Sequence, residues 1–156
     1  MPTISKADPG ADDQRLLDFF TQHEFMGVEN ARRVFAEGPS DLWLATEESR
    51  WVAALLAVEQ RRSDGKLRGC VENCLVDPRY RRQGLARRLM QVAEAHYRSR
   101  ELAGMEFAVR KLFEPNAALL ESGYAIVREY EKDKRDWHGN LIKNQQRYII
   151  RKDFTA

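Results

Sequence analysis

The stretch Leu75-Val76-Asp77-Pro78-Arg79-Tyr80-Arg81-Arg82-Gln83-Gly84-Leu85-Ala86-Arg87-Arg88-Leu89 decides how the chain is read. An apolar run ends at Asp77-Pro78, because proline has no N–H for a strand ladder and restricts the residue before it. A loop crowded with arginine follows, and Gly84 stands at the mouth of an amphipathic segment. A helix entry leaves its first backbone N–H groups without intrahelical partners and lies at the positive end of the helix dipole. Gly84 lets the backbone approach a ligand with no side chain in the way. Arg79, Arg81, Arg82, Arg87 and Arg88 add positive charge. Together these features suit a pyrophosphate. They also suit a helix entry with a solvated basic face, and composition does not separate the two.

Working outward, the segment before the loop, Leu67 to Val76, reads as a strand. Two more strands precede it, Asp41 to Ala45 and Trp51 to Gln60, with turn signals at Glu47-Glu48-Ser49 and Ser63-Asp64-Gly65. Earlier still lie a short strand at Thr3 to Ser5, a helix from Asp12-Asp13 to about His23, and a second helix over Val28 to Ala36 that Gly38-Pro39 stops. After the loop, Gly84 to Arg100 predicts a long helix. Leu85, Leu89, Val92 and His96 form its stripe, with Ala86, Met90, Ala93 and Tyr97 beside them. Met105 to Val109 is a short strand, and Pro115 to Ser122 a short helix capped by Gly123. Tyr124 to Glu131 and Arg147 to Phe154 are the last strands. The polar stretch Lys132 to Gln146 separates them, with Trp137, His138 and Gly139 at its tip. A β-meander, a crossover helix and a closing hairpin make an α/β fold of mixed topology with about seven strands.

The chain has 156 residues, 43% hydrophobic and 32% charged, which is one domain's worth with enough apolar surface for a core. A net charge of +2 gives no basis for nucleic-acid binding. Cys70 and Cys74 lie four residues apart on one strand, roughly 13 Å between α-carbons, too far for a disulfide. They read as free thiols of a reducing compartment, and without a nearby His they make no zinc site. Met1 to Gly10 has no signal-peptide pattern, and no stretch approaches the ~20 apolar residues of a membrane span. A cytoplasmic protein is expected.

Val76-Asp77-Pro-x-x-Arg81-x-x-Gly84-x-Ala86 resembles the acyl-CoA-binding motif of the GNAT superfamily, R/Q-x-x-G-x-G/A. The strand before it, the helix after it and the later Leu119-Leu120-Glu121-Ser122-Gly123-Tyr124 are similar to that family as well. The resemblance covers Leu67 to Glu131 well and reaches the ends through element order. It implies a GNAT-like fold with helices on both faces of the sheet, and acetyl-CoA-dependent transfer to an amine. It further implies that the backbone of Cys74, Leu75 and Val76 pairs with the pantetheine arm like an added strand. The backbone N–H groups of Arg82, Gln83, Gly84, Leu85, Ala86 and Arg87 would wrap the pyrophosphate, and Arg81 or a neighbour would meet a phosphate.

A primary amine is mostly protonated at neutral pH, with a reference pKa of about 10.4 for lysine, so transfer needs a base, a water chain or a desolvated site. The family transfers directly, which makes Cys70 and Cys74 core thiols rather than nucleophiles. Glu72, where relatives frequently carry a carboxylate, is the candidate base. Its alternative is a strand carboxylate paired with an arginine such as Arg68. The family's usual acid, a Tyr in the short helix, is replaced here by Leu119 and Leu120. Tyr124 is the nearest substitute, with Tyr130 next, and the thiolate taking a solvent proton is the alternative. The family's CoA-touching Asn has its nearest counterpart in Asn116, out of phase. His23, His96 and His138 form no triad. The acceptor site falls on Phe19 to Asn30 and Tyr130 to Arg147, and Arg147 to Phe154 offers a strand for a homodimer. A non-catalytic acyl-CoA-binding module is the rival reading.

Overall fold

The structure, a computed structural model, describes residues 1–7, 14–15, 18–19, 41–110, 121–135 and 138–155. Its elements are β1 (Thr3–Ala7), β2 (Asp41–Glu47), β3 (Arg50–Arg61), β4 (Leu67–Val76), a 3-10 turn (Pro78–Tyr80), α1 (Leu85–Ser99), β5 (Gly104–Arg110), β6 (Ala125–Arg135) and β7 (Leu141–Asp153). They divide into two compact units, Met1–Val58 with Val71–His96, and Glu59–Cys70 with Tyr97–Ala156.

In the first unit β1 pairs antiparallel with β2, and β2 with β3. Glu48 and Ser49 take positive φ of 51° and 66° to close the β2–β3 turn. Residues alternate between the faces of a strand. Leu42 and Leu44 therefore share one face, where they pack with Phe19, Ala54, Leu56 and Leu75. Trp43 points to the other, where its ring meets His96 of α1 at 5.4 Å. Gln14, Arg15, Asp18 and Phe19 are helical, so helical residues stand on both faces of this unit's strands.

In the second unit β5 and β6 each pair antiparallel with β7. The Ala103 N–H donates to the Leu67 carbonyl at 2.9 Å, joining the start of β5 to the start of β4. Neighbouring strands that meet at their starts run parallel, so the pairing is mixed. Through the shared strands β3 and β4 the hydrogen-bonded order is β1-β2-β3-β4-β5-β7-β6. Arg68, 1% exposed, is held by Asp64 at 2.9 Å and Asp153 at 3.0 Å. Buried Glu106 accepts from Arg62 and Arg151, each at 2.8 Å. Each buried charge is paired, as the cost of desolvation demands.

The seven strands and the crossover helix match the sequence reading, with four differences. β6 and β7 extend through most of the stretch read as a polar loop, because β6 lies at the sheet edge, where exposed, charged residues are tolerated and leave no apolar period. Val92 is 38% exposed, and the buried stripe of α1 is Leu85, Leu89, Met90, Ala93 and Tyr97. β7 lies between β5 and β6, so both its edges are used and it has none to offer a second copy. Arg68 pairs with Asp64 and Asp153, a ladder of contacts made inside the second unit. The helices read at 28–36 and 115–122 lie outside the described residues, except that Glu121 is helical.

Candidate functional site

The loop from Asp77 to Arg88 lies within the first unit, where β4 ends and α1 begins. Asp77 is 3% exposed. Its N–H donates to the Val52 carbonyl of β3 at 2.8 Å, and its own carbonyl accepts from the Tyr80 N–H at 2.8 Å. Its Oδ1 caps the 3-10 turn by accepting the Arg79 N–H at 2.9 Å. The guanidinium of Arg79 returns to the same carboxylate, Nε to Oδ1 at 3.2 Å and Nη2 to Oδ2 at 2.9 Å. That pairing raises the Arg79 pKa above its ordinary value. The Tyr80 phenol is engaged by the Glu47 carboxylate, which is held below its ordinary pKa chiefly by that contact, while Tyr80 is raised.

Beyond Tyr80 the loop opens. Arg81, Arg82, Gln83 and Gly84 are exposed, and among the described residues Arg81, Arg82 and Gln83 make no backbone–backbone hydrogen bond. Arg81 Nε reaches back to the Val76 carbonyl at 3.3 Å. Arg82 and Gly84 both sit in left-handed backbone, at φ 64° and 76°. This conformation is costly for arginine and free for glycine, and it turns successive peptide groups toward one side. A β-carbon built on Gly84 would meet no atom within 4 Å, so the space in front of it is open. The first intrahelical bond of α1 runs from the Arg88 N–H to the Gly84 carbonyl, at 3.0 Å. The N–H groups of Leu85, Ala86 and Arg87 therefore precede the helix's own ladder, at its positive end. Arg81, Arg82 and Arg87 are exposed around them. Arg88 is turned aside and donates to the Pro2 carbonyl at 3.2 Å. These groups fit a doubly charged phosphate ester: orphan donors, a dipole, guanidinium groups and a cradle without a β-carbon.

The other candidates lie as follows. Leu75 is buried in the core, and Cys74 and Val76 are partly buried on β4, so their side chains serve packing. Burial pushes the Cys74 thiol up to about 12, and both cysteines are free. Glu72 is exposed on β4. In the second unit, Tyr124 is 3% exposed, its hydroxyl 3.9 Å from Met105 Sδ and its ring 5.4 Å from that of Phe107. Asn116 and residues 20–30 of the first acceptor segment lie outside the described residues, whereas most of Tyr130 to Arg147 lies on β6 and β7. Phe19, from that region, is a core residue. Sequence reasoning missed Asp77 as the anchor of the loop. The signal was an Asp followed two residues later by an Arg at a proline turn, where the carboxylate caps and the guanidinium closes on it.

The family model of acetyltransferases of the GNAT type matches residues 10–124. The chain belongs to the GNAT family. It is accordingly an acetyltransferase. Among solved structures it resembles the ribosomal-protein-S18-alanine N-acetyltransferase of Escherichia coli, at 22% identity and TM-score 0.74, covering 100% of this chain and 96% of that one. It also resembles NAA60 of Arabidopsis thaliana in complex with acetyl-CoA, at 16% identity and TM-score 0.76 with both chains covered in full. Naa20 of Chaetomium thermophilum in complex with a bisubstrate analogue matches at 18% identity and TM-score 0.73, over 97% of this chain and 86% of that one. At these identities the likeness shows the GNAT fold. No curated protein matches the chain. No described helix is long and apolar enough to cross a membrane.

Proposed function

We propose that this GNAT protein transfers the acetyl group of acetyl-CoA directly to an amine nitrogen, with the co-substrate held at the Arg81–Arg88 loop. The carrying observation is the loop around Gly84, which combines left-handed backbone, helix N–H groups outside the ladder, exposed arginines and open space at the glycine. The co-substrate supplies an activated thioester. In this reading the N–H groups of Arg82 to Arg87 hold the pyrophosphate, Arg81 adds a charge-assisted contact, and the backbone of Cys74, Leu75 and Val76 aligns the pantetheine arm. Glu72, exposed on the strand that enters the loop, accepts the amine proton directly or through water. The deep burial of Tyr124 against Met105 favours solvent over Tyr124 as the proton source for the leaving thiolate. Cys74 does not enter the reaction, since a thiol raised to about 12 carries almost no thiolate at neutral pH, and Cys70 is buried in the core.

Calorimetric titration with acetyl-CoA tests the reading, beside a Gly84→Glu variant that puts a carboxylate in the cradle. Binding by the wild type that the variant loses supports it, and a screen of small amines and peptide N-termini then identifies the acceptor. A folded wild type that does not bind acetyl-CoA overturns it. Binding without turnover on any amine would select the non-catalytic acyl-CoA module instead.

A further inference from the structure

We propose that Asp77 is a positioning residue for the co-substrate, a single buried carboxylate that holds the Arg79–Gly84 loop in its ligand-accepting form before anything binds. The inference rests on the reading of that loop as the acetyl-CoA site.

A loop that presents backbone N–H groups to a ligand is useful only if its shape is set in advance, because ordering it on binding subtracts from affinity. The loop has few means of setting its own shape. It is exposed from Arg81 to Gly84, and two of those four residues occupy left-handed backbone, one of them an arginine. Its order must come from the buried side, and there most of the links converge on Asp77. The Asp77 peptide is fixed to β3 by its N–H on the Val52 carbonyl at 2.8 Å. Its carbonyl fixes Tyr80 through the Tyr80 N–H, also at 2.8 Å. Its carboxylate takes three further donors from Arg79, at 2.9, 3.2 and 2.9 Å. The adjoining Val76 carbonyl takes Arg81 Nε at 3.3 Å.

The Asp77 carboxylate thus serves its own loop. It faces inward at 3% exposure while Arg79 lies over it, exposed. This has a consequence for charge. Arg79 is neutralised by a partner two residues away, so the positive field in front of the cradle comes from Arg81, Arg82 and Arg87. Arg79 then acts as the clasp rather than as a phosphate ligand.

The test is acetyl-CoA affinity by calorimetry for the wild type, Asp77→Asn, Asp77→Ala and Arg79→Met, each with its thermal midpoint. Asp77→Asn keeps the oxygen that caps the Arg79 N–H and loses the charge pair, so its Kd should rise about threefold. Asp77→Ala loses the cap as well, and its Kd should rise about tenfold, the equivalent of one lost cap. In both, binding entropy becomes more unfavourable, because ordering of the loop is deferred to the binding step. Arg79→Met should resemble Asp77→Asn. A folded Asp77→Ala with wild-type Kd overturns the proposal. So does an Arg79→Met that loses binding while Asp77→Asn keeps it, since Arg79 would then touch the ligand itself. Should Asp77→Ala fail to fold, the Asp77→Asn and Arg79→Met pair decides. A wild type that binds no acetyl-CoA would count against the functional reading and not against the tether.

Discussion

The ring of Tyr97, near the end of α1, lies so close to Gly69 of β4 that a β-carbon on Gly69 would overlap its edge. Tyr97 is wholly buried, and helix and strand approach at this point only because residue 69 lacks a side chain. Gly69→Ala should therefore lower stability by about 1–3 kcal/mol, the usual cost of overpacking. Gly69→Ala combined with Tyr97→Leu should recover part of the loss, because the two residues share one space. Denaturant unfolding of the four proteins measures both effects.

Asp64 carries a pH dependence. Arg68 first, and then the Lys66 N–H, hold its carboxyl well below the usual carboxylate range. A depressed folded pKa means that the contribution is complete above the unfolded value, about 3.9 for Asp, and is lost as pH falls through the lower folded value. Asp64→Asn should lower the thermal midpoint at pH 7, and the gap to wild type should narrow below about pH 4. A gap that stays constant down to pH 3 would sink this account.

Glu72→Gln should reduce kcat with an accepted amine by about a hundredfold or more at neutral pH, the usual range for a lost general base. Acetyl-CoA affinity should stay near wild type. Recovery of rate at high pH, where the amine is neutral without help, would distinguish the base role from loss of packing.

Tyr124→Phe should leave kcat within about threefold of wild type, because a phenol buried against Met105 and Phe107 is a packing group. A drop near a hundredfold would restore Tyr124 as the acid.

Cys74→Ala should retain activity, and iodoacetamide should modify Cys74 slowly at pH 8 in the folded protein. Burial keeps the thiol protonated up to about 12, and alkylation requires the thiolate. Rapid, inactivating modification at that residue would contradict the direct-transfer mechanism.

Local chemistry is what the amino-acid sequence determined. Asp77-Pro78 had to end a strand, Gly84 had to open a helix, and Leu85, Leu89 and Ala93 had to face a sheet, because each follows from one residue's backbone limits or from a 3.6-residue period. The anion cradle was legible for the same reason, since its parts are contiguous in the chain. Tertiary structure alone decided the pairings between distant segments. The extent of β6 and β7 is fixed by backbone pairing, as of Glu131 with Gln146, through a stretch of mainly polar sequence that carries no regular apolar period. The partners of Arg68 come from the β3–β4 turn and from the last strand, 85 residues away. The burial of Asp77 depends on Val52 of β3, and the burial of Tyr124 on Met105 of β5. A carboxylate or phenol reads the same in a sequence whether water or a core surrounds it, and only the folded chain brings up the neighbours that make the difference.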